Sequence, residues 1–228
     1  MVEKSSSRSL YISSIGVLSA LMAVLAFASV VIPTPLGSYD VSSVLIFLVA
    51  ILYGPEIGMA VTCIGQFVGK GLLITYSGLP AIYIPGAVAV RGVEAYIVGR
   101  LGRASTLGRY RESLAMIIGV FWETAAFVVA DYFLYTALWG PGGGISAISF
   151  TIWTIVDLIW VPLGLAALIY ARAAFKTTYM DKDLRLNESF ARSSILLGSI
   201  IFVIFCWGLI AIACLMPGWL MGSVFPAP

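Results

Sequence analysis

The sequence predicts an all-α polytopic membrane protein of seven helices, and three features point to it. The chain is 61% hydrophobic and only 11% charged, its mean hydropathy is +1.03, and apolar runs of membrane-spanning length recur along it. A soluble domain carries about 25% charged residues. A helix crosses a hydrocarbon core of about 30 Å with roughly 20 mostly apolar residues. Helices are expected because backbone amides cannot stay unpaired in lipid, and the alternation of a membrane β-barrel does not recur.

Apolar runs place the spans near 10–33, 41–54, 56–76, 82–100, 114–138, 148–171 and 194–216. Before the first stand Lys4 and Arg8, and Ala26-Phe27-Ala28 within it mimics a leader-cleavage site. Its apolar run exceeds the about 7–15 residues of a signal peptide, so it is read as a helix. The second span is short, and Tyr53-Gly54-Pro55-Glu56 reverses the chain into the third. Residues 139–147, with Gly140-Pro141-Gly142-Gly143-Gly144, are expected as a connection, either a mobile outer lid or a plain turn. The stretch 172–193 reads as a solvated basic linker.

The 13 basic and 11 acidic residues nearly balance, which suggests no nucleic-acid partner. Their placement says more. Lys4, Arg8, Arg100, Arg103, Arg109, Arg111, Arg172, Lys176, Lys182, Arg185 and Arg192 all fall on one side of the predicted topology. The connections 34–40, 77–81 and 139–147 and the tail 217–228 contain no Lys or Arg. Cytoplasmic loops are enriched in these residues, so the N-terminus is expected inside and the C-terminus outside. The chain has no histidine, and Cys63, Cys206 and Cys214 lie in apolar runs without a CxxC pair. No disulfide frame, metal site, cofactor or catalytic residue is therefore expected. Gly65-Gln66-Phe67-Val68-Gly69-Lys70-Gly71 imitates a phosphate loop. It has one residue too few between its glycines, and Gly71 stands where Ser or Thr is required.

Four features in order carry a resemblance. Ile32-Pro33-Thr34-Pro35-Leu36-Gly37 follows the first helix, and Gly54-Pro55-Glu56-Ile57-Gly58 separates the second and third. Gly65, Gly69 and Gly71 lie in the third helix and Arg91-Gly92-Val93-Glu94 in the fourth. This succession resembles the substrate-binding S components of energy-coupling factor (ECF) transporters over about residues 10–171. The resemblance implies a six-helix S-component-like core over 1–171, the linker over 172–193, and an additional helix with an outer tail over 194–228. It implies capture of a small water-soluble, vitamin-like solute outside the plasma membrane of a prokaryote. The implied partners are a transmembrane coupling subunit, ABC ATPases reached through it, and membrane lipid. The 33–40 loop of such a protein closes over substrate, which makes Tyr39 and Asp40 candidates for contact; the alternative for Asp40 is a cap on the second helix. S components dock the coupling subunit through small residues of the first helix, here Gly16, Ala20 and Ala23, although small residues also serve any tight helix pair. Lys70 departs from the family pattern, which often has an acid there, and the seventh helix exceeds it.

A charge near the bilayer centre costs about 2.5–3.5 kcal/mol on insertion scales, so each one should face the bundle. Counting the helical rise of about 1.5 Å per residue puts Lys70 and Asp131 roughly 10 Å deep and Arg91 and Asp157 near 13 Å, with Glu94 and Glu123 deeper. Phe127, Asp131 and Tyr135 share one helical face, and Trp153, Asp157 and Trp160 share another. Lys70, Arg91, Asp131, Tyr135, Trp153 and Asp157 are therefore candidates to hold a flat polar ligand by stacking and ion pairing. The alternative is that Lys70 and Arg91 pair internally with Asp131 and Asp157. Three functions follow: solute capture, an accessory or structural subunit of a larger membrane complex, and an intramembrane enzyme built on Glu94 and Glu123. The last has no fixed geometry behind it, and no enzyme is expected.

Overall fold

A computed structural model describes residues 2–28, 33–34, 37–38, 41–77, 81, 83–104, 110–175, 201 and 204. Helix α1, Val2–Ala28, leads to a small antiparallel hairpin in which Pro33–Thr34 (β1) pairs with Gly37–Ser38 (β2). Helix α2 is Ser42–Tyr53, α3 is Pro55–Ser77 and α4 is Tyr83–Gly102. The long helix α5, Arg111–Thr151, runs into a 3₁₀ stretch, Ile152–Ile159, and then into α6, Trp160–Phe175.

At 12 residues α2 is too short to cross a bilayer alone. It is instead the central helix, with Ile46, Phe47, Val49 and Ala50 fully or almost fully buried. It packs against α3, α4 and α6, while α3 joins α1 to α4 and α5 covers α4. Gly54 ends α2 at φ 106°, a conformation open to glycine. Pro55 then starts α3, where a first-turn proline loses no helical hydrogen bond. The reversal is tight: a Cβ at Gly58 would lie 2.7 Å from the Cα of Ala50.

The helices are inside out by the standard of a soluble protein. Exposed side chains include Ile64, Phe67, Val68 and Leu72 on α3 and Ile118, Phe121, Val129 and Phe133 on α5. Lys70, Arg91, Glu94, Glu123 and Asp157 are buried. An apolar exterior around a charged interior is what hydrocarbon solvent demands. Two helical runs, Pro55–Thr75 and Arg111–Ala174, are by themselves long and apolar enough to cross a membrane.

Four features differ from expectation. Helix α1 already includes Val2, ahead of the expected start near 10, and position 33 belongs to the hairpin. Residues 139–147 are not a loop. Gly140, at φ 75° and ψ −177°, breaks α5, and helix resumes at Pro141. Pro–Gly punctuation reads as a turn, but a proline just after a glycine also suits a helix start. The stretch 152–159 is a 3₁₀ helix, so the α-helical spacing that put Trp153 and Asp157 on one face does not hold there. At about three residues per turn, positions four apart are about a third of a turn out of line. Residues 172–175 of the expected linker belong to α6. The rest of the linker, the expected seventh helix except positions 201 and 204, Tyr39, Asp40 and the side chain of Trp153 lie outside the described residues.

Candidate ligand-binding site

Arg91, in the middle of α4, is 3% exposed and gathers polar side chains from three other elements. Its Nη1 donates to Ser43 Oγ at 2.9 Å, from α2, and to Glu94 Oε2 at 3.1 Å, one turn along α4. Nη2 lies 2.7 Å from Glu123 Oε1 on α5, an ion pair outside hydrogen-bond angles, and donates to Asp157 Oδ2 at 3.2 Å, from the 3₁₀ stretch. Ser43 Oγ also donates to Asp157 Oδ2, at 3.3 Å. A planar guanidinium with several fixed donors can serve partners in different directions, which a lysine ammonium does less well. Beside it, Trp122 Nε1 donates to the carbonyl of Val90 at 3.2 Å and fastens α5 to α4.

The predicted layer of four charges therefore divides. Arg91 and Asp157 meet, and Glu94 and Glu123, expected deeper, join them. A count of helical rise treats each residue as a point at its Cα, whereas an arginine side chain reaches more than one helical turn. Asp131 instead accepts a hydrogen bond from Thr151 at 2.7 Å, which ties the two arms of α5 together across Gly140. Tyr135, one turn beyond Asp131, has its ring 4.8 Å from that of Trp139 at a tilt of 33°. Lys70 is buried in α3 at 3% exposure.

Two neutral polar residues on α3, in line with Lys70, escaped the sequence reading. Thr62, Gln66 and Lys70 recur every four residues and are all buried. Gln66 Nε2 donates to Ser42 Oγ, the first residue of α2, at 2.8 Å. The four-residue spacing was the signal available, but threonine and glutamine inside an apolar run do not stand out as charges do.

The small residues of α1 also divide. Gly16 and Ala20 are exposed, and a Cβ at Gly16 would meet nothing within 4 Å. Ala23 is 6% exposed and turned toward α3: a Cβ at Gly69 would lie 2.6 Å from the Ala23 carbonyl oxygen. Gly65 and Gly69, the glycines of the phosphate-loop look-alike, thus let α1 and α3 approach closely.

A helical bundle with an apolar exterior and a polar, charged centre defines a polytopic membrane protein. Residues 8–161 match the sequence model of the family described as ECF-type riboflavin transporter, S component, and the chain belongs to that family. No curated protein and no solved structure matches the chain. Membership makes it a substrate-binding subunit of a transporter in the prokaryotic plasma membrane, not an enzyme. The match ends in the first turn of α6, so residues 162–228 lie beyond it.

Proposed function

We propose that the chain is the solute-capture subunit of an ECF-type importer, that its solute is riboflavin or a close flavin, and that it takes the solute from the outer face. The observation that carries this reading is the family match over residues 8–161. The geometry supports it in two ways. The start of α2, the ends of α1 and α3 and the start of α4 lie at the end of the bundle that bears the hairpin 33–38, and Ser42, Ser43 and Gln66 gather their polar contacts toward that end. Lys4, Arg8, Arg100, Arg103, Arg111 and Arg172 fall at the opposite end, where Arg172 pairs with Glu112 at 2.6 Å. Basic residues are enriched on the cytoplasmic side, which supports an N-terminus inside and the hairpin outside.

Riboflavin is flat, polar at one edge and uncharged. The neutral donors and acceptors of Thr62, Gln66, Ser42 and Ser43 suit it, and Tyr135 and Trp139 offer aromatic surface for stacking. Tyr39, Asp40, Lys70, Asp131 and Trp153 remain proposed contacts of the same site. The outward Gly16–Ala20 face of α1 is proposed to meet the membrane coupling subunit, which links the protein to ABC ATPases.

A second reading, an accessory subunit on the same scaffold without a solute of its own, has one observation in its favour. Arg91 and Asp157, expected to face a ligand, are spent on each other. A thermal-unfolding screen of the purified protein against riboflavin, flavin mononucleotide and unrelated vitamins separates the two. Stabilisation by riboflavin supports capture, whereas no stabilising ligand in the panel favours the accessory role.

A further inference from the structure

Two arginines meet where α5 begins and α6 ends. Arg172, in the last turn of α6, places Nη2 2.6 Å from Glu112 Oε1, and Arg111, the first residue of α5, places Nε 3.7 Å from the same oxygen. One carboxylate serves two guanidiniums, so the trio keeps one positive charge. A tie between the two helices needs only one arginine. Both cations are also open to their surroundings, with side chains 40% and 41% exposed, while the carboxylate between them is 19% exposed.

Those surroundings are a membrane surface by two separate signs. Leu114 and Ile118, three and seven residues past Arg111 on its face of α5, are exposed, as is Ile169, one turn before Arg172. An outward apolar stripe on a bundle of this kind faces acyl chains, and the arginine pair stands where that stripe ends. Tyr110, beside Arg111, and Tyr170, two residues before Arg172, are exposed at the same level. Exposed tyrosines collect at the depth of lipid headgroups.

The ligand chemistry that fits is a phosphate diester carried on an acyl chain. Guanidiniums match phosphate oxygens with paired donors, and the stripe below supplies apolar contact. We propose that Arg111 and Arg172 form a headgroup site for one anionic phospholipid, with its phosphate on the two guanidiniums and an acyl chain along Leu114 and Ile118. The remaining positive charge selects an anionic lipid over a zwitterionic one, whose own ammonium already balances its phosphate. Glu112 sets the strength of that selection, because it neutralises one of the two cations.

Native mass spectrometry of the full-length protein, titrated with phosphatidylglycerol, phosphatidylcholine or inorganic phosphate, reads the first binding step. Wild type is expected to favour phosphatidylglycerol over phosphatidylcholine by about fivefold or more, the effect of one uncompensated cation near a membrane surface. Arg111→Gln combined with Arg172→Gln should lose that preference. Glu112→Gln breaks the same ion pairs but raises the positive charge, so it should bind phosphatidylglycerol at least as tightly as wild type. Equal binding of the two lipids by wild type overturns the proposal, as does an undiminished preference in the double arginine variant. Loss of the preference in Glu112→Gln overturns it too, because the arginines then act only by holding α5 to α6; this arm decides should the arginine variant not fold. Inorganic phosphate that displaces phosphatidylglycerol at micromolar concentration assigns the guanidiniums to a free anion and overturns the lipid site.

Discussion

Replacing Arg91 by methionine keeps the side-chain bulk and removes the charge that three carboxylates share. The guanidinium lies 3.1 Å from Glu94, 2.7 Å from Glu123 and 3.2 Å from Asp157, with all four side chains at most 6% exposed. It also donates to Ser43 at 2.9 Å. Removing one partner of a buried ion pair costs about 3–5 kcal/mol, chiefly because the other charge is stranded. A chain of this size loses about 2–4 °C of Tm per kcal/mol, so Arg91→Met should lower the midpoint by about 6–20 °C. Tryptophan fluorescence on heating in one detergent, with size exclusion to exclude aggregation, reads the shift. Adding Glu123→Gln to Arg91→Met should restore part of the loss, since one stranded carboxylate has gone. The reasoning is refuted if Arg91→Met stays within about 1 kcal/mol of wild type, the range of an exposed ion pair, or if the double variant is less stable than the single one.

Three further outcomes follow from the packing. Gly69→Ala should destabilise by about 1–3 kcal/mol through a clash with Ala23; at Gly71 the nearest atom to a new Cβ is 4.0 Å away, so Gly71→Ala should be neutral or slightly stabilising in the same melting assay. Gly140→Ala should cost about 1–3 kcal/mol, although nothing crowds the site, because φ 75° with ψ −177° is a region essentially reserved for glycine. Ala20→Trp should leave the isolated protein's melting unchanged but lower co-purification with the coupling subunit, whereas Ala23→Trp should lower the melting temperature itself.

The all-helical membrane bundle was legible because hydrocarbon solvent leaves few alternatives: a long apolar run must be a helix, and a charge inside it must turn inward. Arg91, Glu94, Glu123 and Asp157 announced a polar centre for that reason. Which of them meet was not legible, because contact depends on how far Arg91 reaches and on the 3₁₀ winding that carries Asp157. Gly140-Pro141 was misread because the same dipeptide serves a turn and a helix start, and only the packing of the following segment against Asp131 decides. Ser42, Ser43 and Gln66 were missed because a neutral polar side chain in an apolar run carries little cost and so little signal. The division of Gly16 and Ala20 from Ala23 is a matter of helix rotation, fixed by Gly65 and Gly69 on the neighbouring helix.

The most direct test of solute capture is a titration of riboflavin fluorescence with the purified full-length protein in detergent. The account predicts saturable quenching at one flavin per chain with a Kd below about 1 μM, or about −8 kcal/mol. Fluorescence that stays that of free riboflavin at micromolar protein would contradict it.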